Sequence, residues 1–383
     1  MAGAISRLWR MGDPSPTIEH APGGGHDAPL VQARRAGENP RHFALALLLA
    51  AALMLGGAFC FNVLVDPYGT VGTGLVRSGL PRDPAVKVHL LKQLKTPPKL
   101  IILGSSRSMK VQPSYFSQTT GLPGFNAGAR GATPIDAWAM SNFIHNRFPG
   151  TRMDYFWMLD VEGFQDDHVR SNLWDAPELA QYVPSSVRKN QQLKGLRDLF
   201  SWQATKDSFQ LLRAWAGNGS TLTKRQRQRK VDEFAPDGYR NYDWNDALQA
   251  NGSSLEKRIR VKMRGYARQY RGYNHLARRQ CTYFEKTLAA MNSWGTEPVI
   301  AISPINPRLL AALRPLGADD RHRDLVRYLE SLHARYRFTV LDMFSISSFG
   351  GTSDAFYDGV HMTLPNMHRM IDQALADAPD AFQ

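Results

Sequence analysis

The chain has 383 residues, with 47 Lys and Arg against 34 Asp and Glu, and a formal charge of +13. Hydrophobic residues make up 43% of it, so most of the sequence is expected to be globular. The only cysteines, Cys60 and Cys281, exclude a disulfide-rich scaffold and a cysteine-based zinc cluster. The overall composition also excludes a polytopic membrane protein, but not a single span.

One apolar segment near the N-terminus is long enough to cross a membrane. The run FALALLLAAALMLGGAFCF, from Phe43 to Phe61, carries no charge, and it resumes after Asn62 as far as Val65. At about 1.5 Å per residue this segment measures roughly 34 Å as a helix, enough to cross a hydrocarbon core. A cleaved signal peptide is the competing interpretation, but it would have a shorter apolar region followed by a small-residue cleavage site. We therefore predict an uncleaved transmembrane anchor over residues 42–65.

The charges that flank the span indicate its orientation. The residues just before it include three arginines, namely Arg34, Arg35 and Arg41. After it comes Asp66, and the next basic residue is Arg77. By the positive-inside rule, residues 1–41 form a flexible cytoplasmic tail, and the chain is a single-pass protein of the cell membrane whose C-terminal domain is extracytoplasmic. Its positive charge is then expected to meet the lipid bilayer and an anionic partner of the cell envelope, and no nucleic acid.

Residues 66–98 are predicted as a linker, within which Ala85–Leu94 fits a short amphipathic helix. Beyond it, short apolar runs alternate with helical segments. Strands are predicted at 100–103, 122–126, 155–159, 298–303 and 338–341, and helices at 113–120, 134–147, 282–293, 321–336 and 364–375. Strands separated by helices favour a mainly parallel sheet that is covered on both faces. The predicted fold class is therefore α/β, a flavodoxin-like three-layer α/β/α arrangement formed by residues 99–165 and 281–378.

A long polar segment, 166–280, separates the two parts of this predicted domain. It has helical propensity and is rich in Arg and Lys, with KRQRQRK at 224–230 and a second basic stretch at 257–279. We predict a basic helical insertion or cap. The second stretch is either a solvated helix face or a docking site for anionic glycans or lipid headgroups.

The first candidate site motif follows the first predicted strand. Leu100–Leu103 is fully apolar and delivers Gly104-Ser105-Ser106 into a loop at the end of the strand. A serine held there can be exposed while its backbone stays fixed, which suits a nucleophile.

The second motif, FNAGARG, runs from Phe125 to Gly131 after the next predicted strand. Its glycines allow backbone N–H groups to approach a reacting centre, although a simple glycine-rich turn has the same composition. The pattern lacks the glycine pair of a dinucleotide-binding loop and the lysine of a P-loop.

The third motif, YDGVH, runs from Tyr357 to His361 just before the last predicted helix. Three residues apart in a turn, Asp358 and His361 can lie side by side, so that the carboxylate holds one ring nitrogen and the other accepts a proton from a serine. Alternatively, Asp358 caps the final helix and His361 packs locally.

In this order, the three motifs resemble those of the SGNH/GDSL hydrolase superfamily. The resemblance covers about residues 99–165 and 281–375, and it implies Ser106 as the nucleophile and Asp358 and His361 as its triad partners. It also implies an oxyanion hole formed by the N–H groups of Ser106 and Gly131. We expect support for the site from three residues within or beside the motifs, namely Arg107, Asn126 and Asp160.

One block departs from the pattern of this superfamily. The third block usually reads Gly-x-Asn-Asp, and its Asn donates a hydrogen bond to the oxyanion. Here the matching strand ends in Leu159-Asp-Val-Glu-Gly163. An ionised carboxylate cannot donate, and the loss of one such donor typically costs about 2.7–4 kcal/mol in the activation barrier.

The anchor and the Gly-Ser-Ser-Arg sequence also resemble anchored proteins that act beside membrane-bound O-acyltransferases, such as the D-alanine-transfer and alginate O-acetylation proteins. The expected function is a serine esterase or O-acyltransferase on acyl esters of a cell-envelope polysaccharide, partnered by such a membrane protein, without cofactor or metal. The alternative is a non-catalytic envelope module that binds an anionic polymer or a membrane O-acyltransferase.

Overall fold

The computed structural model describes residues 40–67, 83–165, 176–185, 187, 196, 199–218, 233–241 and 252–382. Nearly all of the predicted cytoplasmic tail, and the KRQRQRK stretch at 224–230, lie outside these ranges. The chain divides into two compact units, Met1–Leu53 and Met54–Gln383. Within the first unit, the described residues form the beginning of helix α1, which runs from Pro40 to Val65.

Helix α1 has the length and composition expected of the predicted span. Residues Arg41–Val65 are apolar enough, over a long enough helix, to cross a membrane. Their large side chains are largely exposed, including those of Leu53 and Met54. Since an apolar surface of this extent is costly in water, the helix agrees with the predicted anchor.

The second unit contains a five-stranded sheet in which every pair of neighbouring strands is parallel. The strands are β1 (Leu100–Leu103), β2 (Gly124–Asn126), β3 (Asp154–Leu159), β4 (Val299–Ile302) and β5 (Thr339–Asp342). Their spatial order is β2-β1-β3-β4-β5. The order reverses between β1 and β3, where open α/β sheets form a crevice beyond the carboxyl ends of their strands.

Helices surround this sheet, and short 3-10 helices connect several of them. The α-helices are α2 (Asp83–Gln93), α3 (Pro113–Thr120), α4 (Pro134–Arg147), α5 (Pro177–Ala180), α6 (Trp202–Asn218), α7 (Leu255–Arg271), α8 (Arg278–Ser293), α9 (Pro307–Leu313), α10 (Ala318–Leu332) and α11 (Leu364–Asp377). The 3-10 helices are Ser108–Lys110, Val161–Phe164, Arg314–Leu316, Ile346–Phe349 and Pro379–Ala381.

Both faces of the sheet are buried in apolar clusters. One cluster contains Ile101 and Trp157 and is covered by α2, α4, α8 and α10. The other contains Ile102 and Phe156 and is covered by α3 and α11. Alternate residues of each strand enter opposite clusters, so both faces of a strand need apolar side chains, and β1 (LIIL) and β4 (VIAI) are apolar throughout. The predicted α/β class with a parallel sheet is confirmed.

The core extends beyond the predicted boundaries on both sides. Helix α2 matches the short amphipathic helix predicted within the linker, and its Val86 and Leu91 are buried in the sheet's core. Helix α7 falls in the predicted insertion, and its Ile259 and Tyr270 join the same core. Helix α7 has a mostly polar and basic sequence, so only the packing reveals which of its side chains are covered.

Helix α2 also buries a lysine. Lys87 is fully buried, and its Nζ donates hydrogen bonds to the carbonyl oxygens of Asn126, at 2.6 Å, and Gly238. Burial lowers the pKa of Lys87 to about 7, against the opposing charges of Asp83 and Asp237. A neutral amine retains the two N–H donors that these carbonyls require, so the site is satisfied without a charge.

This lysine makes stability depend on pH above neutrality. An unfolded lysine keeps its proton up to about pH 10.5, whereas folded Lys87 releases it near pH 7. Folding therefore releases a proton between these values, and the folded state gains stability as the pH rises through them. We expect the thermal midpoint of the detergent-solubilised chain to rise over this window, and Lys87→Met to flatten the rise. The exposed Lys95→Met variant should keep the slope of the parent, and an equal slope in Lys87→Met would contradict the assignment.

Candidate active site

The loop after β1 is held in a conformation that only glycine adopts readily. Gly104 has φ of +138°, and a Cβ there would lie 2.6 Å from the carbonyl oxygen of Met158. Beyond it, Ser105 accepts a hydrogen bond on its Oγ from the N–H of Arg107 at 3.2 Å, and on its carbonyl from Ser108. This turn fixes the backbone on both sides of Ser106 and leaves its side chain partly accessible.

Ser106 lies at one end of a chain of hydrogen-bonding groups. Its Oγ is 2.8 Å from Nε2 of His361, although 255 residues separate the two in sequence. On the other side of the ring, Nδ1 of His361 is 3.0 and 2.9 Å from the two carboxylate oxygens of Asp358. With Nδ1 protonated toward the carboxylate, Nε2 is free to accept the serine proton. The structure thus brings together the three residues predicted as catalytic.

A tight turn before α11 positions the carboxylate. The N–H groups of Val360 and His361 both donate to Oδ1 of Asp358, at 2.9 and 3.0 Å. Nζ of Lys262, on α7, lies 3.4 Å from its Oδ2. Burial alone would raise the pKa of Asp358, but the hydrogen bond and charge of His361, together with the charge of Lys262, hold it well below its ordinary value. Asp358 therefore stays ionised throughout the range in which histidine titrates.

The contribution of Lys262 can be measured in acid. Because the pKa of folded Asp358 lies below the ordinary 3.8, its ionised form stabilises the fold above that pH, and this stability is lost as the pH falls through the folded-state value. Lys262→Met removes a nearby positive charge and raises that pKa, so unfolding should begin at a higher pH. Near-UV circular dichroism, recorded from neutral pH into the acid range, checks this. Lys257→Met, on the exposed face of the same helix, serves as the control, and equal shifts in both variants would contradict the pairing.

The second predicted oxyanion donor is the N–H group of Gly131. Gly131 lies in the turn between β2 and α4 with φ of +66°, and it is exposed. Within the described ranges, none of the hydrogen bonds joins it to Ser106 or to His361. Nearby, the N–H of Gly128 donates to Asn126 Oδ1. The assignment of Gly131 as a donor stays a prediction.

Asn126 is a buried residue that links two loops of the candidate site. It is fully buried, and its Nδ2 donates to the carbonyl oxygens of Ser108 and Val111, at 2.8 and 2.7 Å. Its Oδ1 accepts from Gly128 at 3.0 Å. A single amide thereby ties the loop after β1 to the loop after β2, so Asn126 positions the residues that flank Ser106 without contacting it.

Arg107 and Asp160 belong to a buried ionic network. Nη2 of Arg107 donates to Glu162 at 2.9 Å and to the hydroxyl of Tyr266 at 3.2 Å, and its Nε lies 3.6 Å from Oδ1 of Asp160. Glu162 also accepts from Tyr270 at 2.9 Å. Asp160, which the resemblance compares with an oxyanion-donating Asn, is thus a carboxylate paired with an arginine.

Sequence reasoning missed the partners of this network. Glu162 lies two residues after Asp160 in the motif, but Tyr266 and Tyr270 belong to the segment predicted as an insertion or cap. The same segment contributes Lys262, which lies beside Asp358. Nothing in their spacing indicates that α7 packs over the loop after β1. Arg258, one turn before Lys262, joins α7 to the turn that holds Asp358 and His361, because its guanidinium donates to the carbonyl of Tyr357.

An apolar cleft lies at the reversal point of the sheet, beside the loop after β1. It is lined by Gly104 and Asp160 and by small or apolar side chains, among them Ala127, Ala129, Ala132 and Met140. The described part of the chain contains no group of three His, Cys, Asp or Glu side chains close enough together to hold a metal ion.

Comparison with known proteins adds no assignment. No protein-family model matches the chain, and no curated protein sequence is significantly similar to it.

Proposed function

We propose that this chain is an anchored serine esterase or O-acyltransferase of the SGNH type, acting on acyl esters of a cell-envelope polymer. The observation that carries the proposal is the relay from Ser106 Oγ through His361 to Asp358, with every contact between 2.8 and 3.0 Å. This is the arrangement that activates a serine hydroxyl for acyl transfer. The order of its three motifs along an α/β sheet supports the family resemblance.

The reaction proceeds in two half-reactions. Ser106 Oγ attacks the ester carbonyl carbon while its proton passes to Nε2 of His361. The tetrahedral intermediate then collapses, the C–O bond to the alcohol breaks, and the imidazolium returns its proton to the leaving oxygen. Water or a polymer hydroxyl next attacks the acyl-serine, giving up its proton to His361, and Ser106 leaves with that proton. Asp358 remains ionised and stabilises the imidazolium in both steps.

Oxyanion stabilisation in this proposal relies on backbone donors, the N–H groups of Ser106 and Gly131. A carboxylate at Asp160 accepts hydrogen bonds and does not donate them, and its Oδ1 lies 3.6 Å from Nε of Arg107. One missing donor corresponds to about 2.7–4 kcal/mol in the barrier, or on the order of 10²–10³ in rate. We therefore expect modest turnover of simple esters.

The surface beside the relay suits an anionic polymer. Helix α7, which contributes Lys262 to the relay, carries a stripe of exposed basic residues spaced three or four apart: Lys257, Arg260, Arg264, Arg268 and Arg271. At these spacings they share one helix face. In the described part of the chain, none of them forms an ion pair with an acidic side chain. Such a stripe attracts a polyanion by charge alone and brings its esters near Ser106.

The reaction can be tested with an activated ester. The purified full chain in detergent is expected to release p-nitrophenol from p-nitrophenyl acetate, and Ser106→Ala is expected to reduce the release to background. Ser105→Ala is the matched control, since Ser105 is buried and bonded to the backbone of Arg107. Equal activity of the parent and folded Ser106→Ala would refute the proposal. A soluble glycan acceptor added to the same assay distinguishes transfer from hydrolysis.

The second candidate function is a non-catalytic module that binds an envelope polymer or a membrane O-acyltransferase. The carboxylate of Asp160 favours it, since the expected amide donor is absent at that position. In a strain that lacks its own copy of the gene, full complementation by Ser106→Ala would favour this module. Failure of Ser106→Ala, with success of Ser105→Ala, would favour the enzyme.

A further inference from the structure

Helix α6 packs against the last turns of the apolar helix α1 through a buried polar clamp. Asn62 is 1% exposed, and its Nδ2 donates to the carbonyl of Leu199 at 2.7 Å and to Oγ1 of Thr205 at 3.0 Å. Its Oδ1 accepts from the hydroxyl of Ser208 at 2.9 Å. The amide is thus hydrogen-bonded on both its oxygen and its nitrogen within an otherwise apolar helix, which an environment without water requires.

Aromatic pairs extend this contact outward. The rings of Phe59 and Phe200 stack with centroids 3.9 Å apart and an interplanar angle of 11°. The rings of Phe61 and Phe209 lie 4.9 Å apart. Phe200 and Phe209 are nevertheless 63% and 62% exposed, so each has one side against α1 and the other uncovered.

The outer face of α6 combines aromatic and basic side chains. Trp202, Lys206, Phe209 and Arg213 are exposed, and their spacing places them within one narrow stripe of the helix. Trp202 is the most exposed of the aromatic side chains there, at 72%. Nζ of Lys206 lies 5.9 Å from its ring. Aromatic rings alternating with long basic side chains are typical of helices that lie in a membrane interface, where the rings enter the acyl boundary and the cations reach the headgroups.

The position of α6 along α1 agrees with a location at the membrane interface. Asn62 and Phe59 precede Val65, the last residue of α1, by about 5 and 9 Å of helix rise. A span needs about 20 residues to cross the hydrocarbon core, and α1 has 26. With α1 crossing the bilayer, its end, and therefore the start of α6, would fall where the hydrocarbon core gives way to the headgroups.

We propose that α6 lies in the membrane interface, with Trp202 and Phe209 inserted at the boundary between acyl chains and headgroups. The occupant of the exposed stripe is lipid, because α6 packs against the last turns of the apolar helix α1 and carries the basic residues that suit anionic headgroups. The proposal rests on α1 spanning the bilayer and is independent of the proposed chemistry. It gives the chain a second membrane contact besides its anchor.

The test uses the full chain at one copy per lipid nanodisc, with Cys60→Ala and Cys281→Ser removing the native thiols. A nitroxide label is placed at Phe209→Cys, on the stripe, or at Gln210→Cys, its exposed neighbour on the polar side of α6. The label at position 209 is expected to collide several-fold more with lipid-soluble oxygen than with a water-soluble nickel chelate. The label at position 210 should show the opposite preference.

Two results would overturn the proposal. If both labels collide mainly with the nickel chelate, the stripe faces water. If the label at position 209 is protected from both reagents, protein covers the stripe instead of lipid. A second pair, Trp202→Cys and Gln203→Cys, repeats the measurement in case the first substitution disturbs the contact with Phe61. A thermal midpoint equal to that of the cysteine-free parent shows that each variant is folded.

Discussion

Replacing His361 by alanine is expected to lower the turnover of p-nitrophenyl acetate by about 10⁴-fold. Nε2 of the imidazole is 2.8 Å from Ser106 Oγ, where it can accept the serine proton and return it. Without it, the serine must ionise into solvent at a pH far below its own pKa. The assay is the initial rate with the purified full chain, and exposed His333→Ala is the control expected to keep full activity.

The same assay distinguishes a relay from three independent residues. Side chains that act as one unit give strongly non-additive losses. The double variant Ser106→Ala, His361→Ala should therefore be about as slow as either single variant. Asp358→Asn should also cause a large loss, because its amide disturbs the tautomer that leaves Nε2 free. A loss below about tenfold in His361→Ala, less than general base catalysis usually contributes, would count against the relay.

Replacing Arg107 by alanine is expected to lower the free energy of unfolding by about 3–5 kcal/mol, the usual cost of leaving a buried charge unpaired. The guanidinium is 4% exposed, and its partner Glu162 has a side chain that is 6% exposed. Removal takes the shared cation from the carboxylates of Glu162 and Asp160, and Glu162 keeps the hydrogen bond from the Tyr270 hydroxyl. The thermal midpoint of the solubilised chain should fall by about 5 °C or more.

The control for this variant is an arginine in a surface ion pair. Arg327 pairs with Asp324 at 2.6 Å, but its side chain is 72% exposed, so Arg327→Ala should change stability by no more than about 0.5 kcal/mol. Adding Glu162→Gln to Arg107→Met should recover part of the loss, because it removes the stranded charge. If Arg107→Ala unfolds at the same temperature as Arg327→Ala, the network does not hold the loop after β1.

Local signals were sufficient to predict much of the sheet and its helices. Helix α4 begins and ends where its sequence indicates, because Pro134 occupies its first turn and Thr133 and Asp136 form a capping box before it. Helix α10 was expected to end at Tyr336 on the basis of apolar spacing, but it ends at Leu332. Tyr336 lies beyond the helix but still packs against the core. The apolar spacing in the sequence therefore continues past the point where the helical backbone ends.

Long-range packing could not be derived in the same way. Ser106 and His361 belong to motifs whose own residues predict a loop or turn, and a parallel sheet places the loops after its strands at one edge. The contacts of Lys262 with Asp358 and of Tyr266 with Arg107 depend instead on how α7 crosses the site. That helix is strongly basic, and its sequence alone fits a solvated surface equally well. Its inner side chains are identified only by the elements against which they pack.

The most direct test of the central claim is the site of covalent capture. Trypsin cleavage after Lys99 and Arg107 yields the peptide LIILGSSR, which contains both Ser105 and Ser106. After the folded chain reacts with a fluorophosphonate, fragmentation of this peptide by mass spectrometry should locate the adduct on Ser106, and His361→Ala should largely abolish it. An adduct on Ser105, or an unmodified peptide from folded protein, would contradict the account.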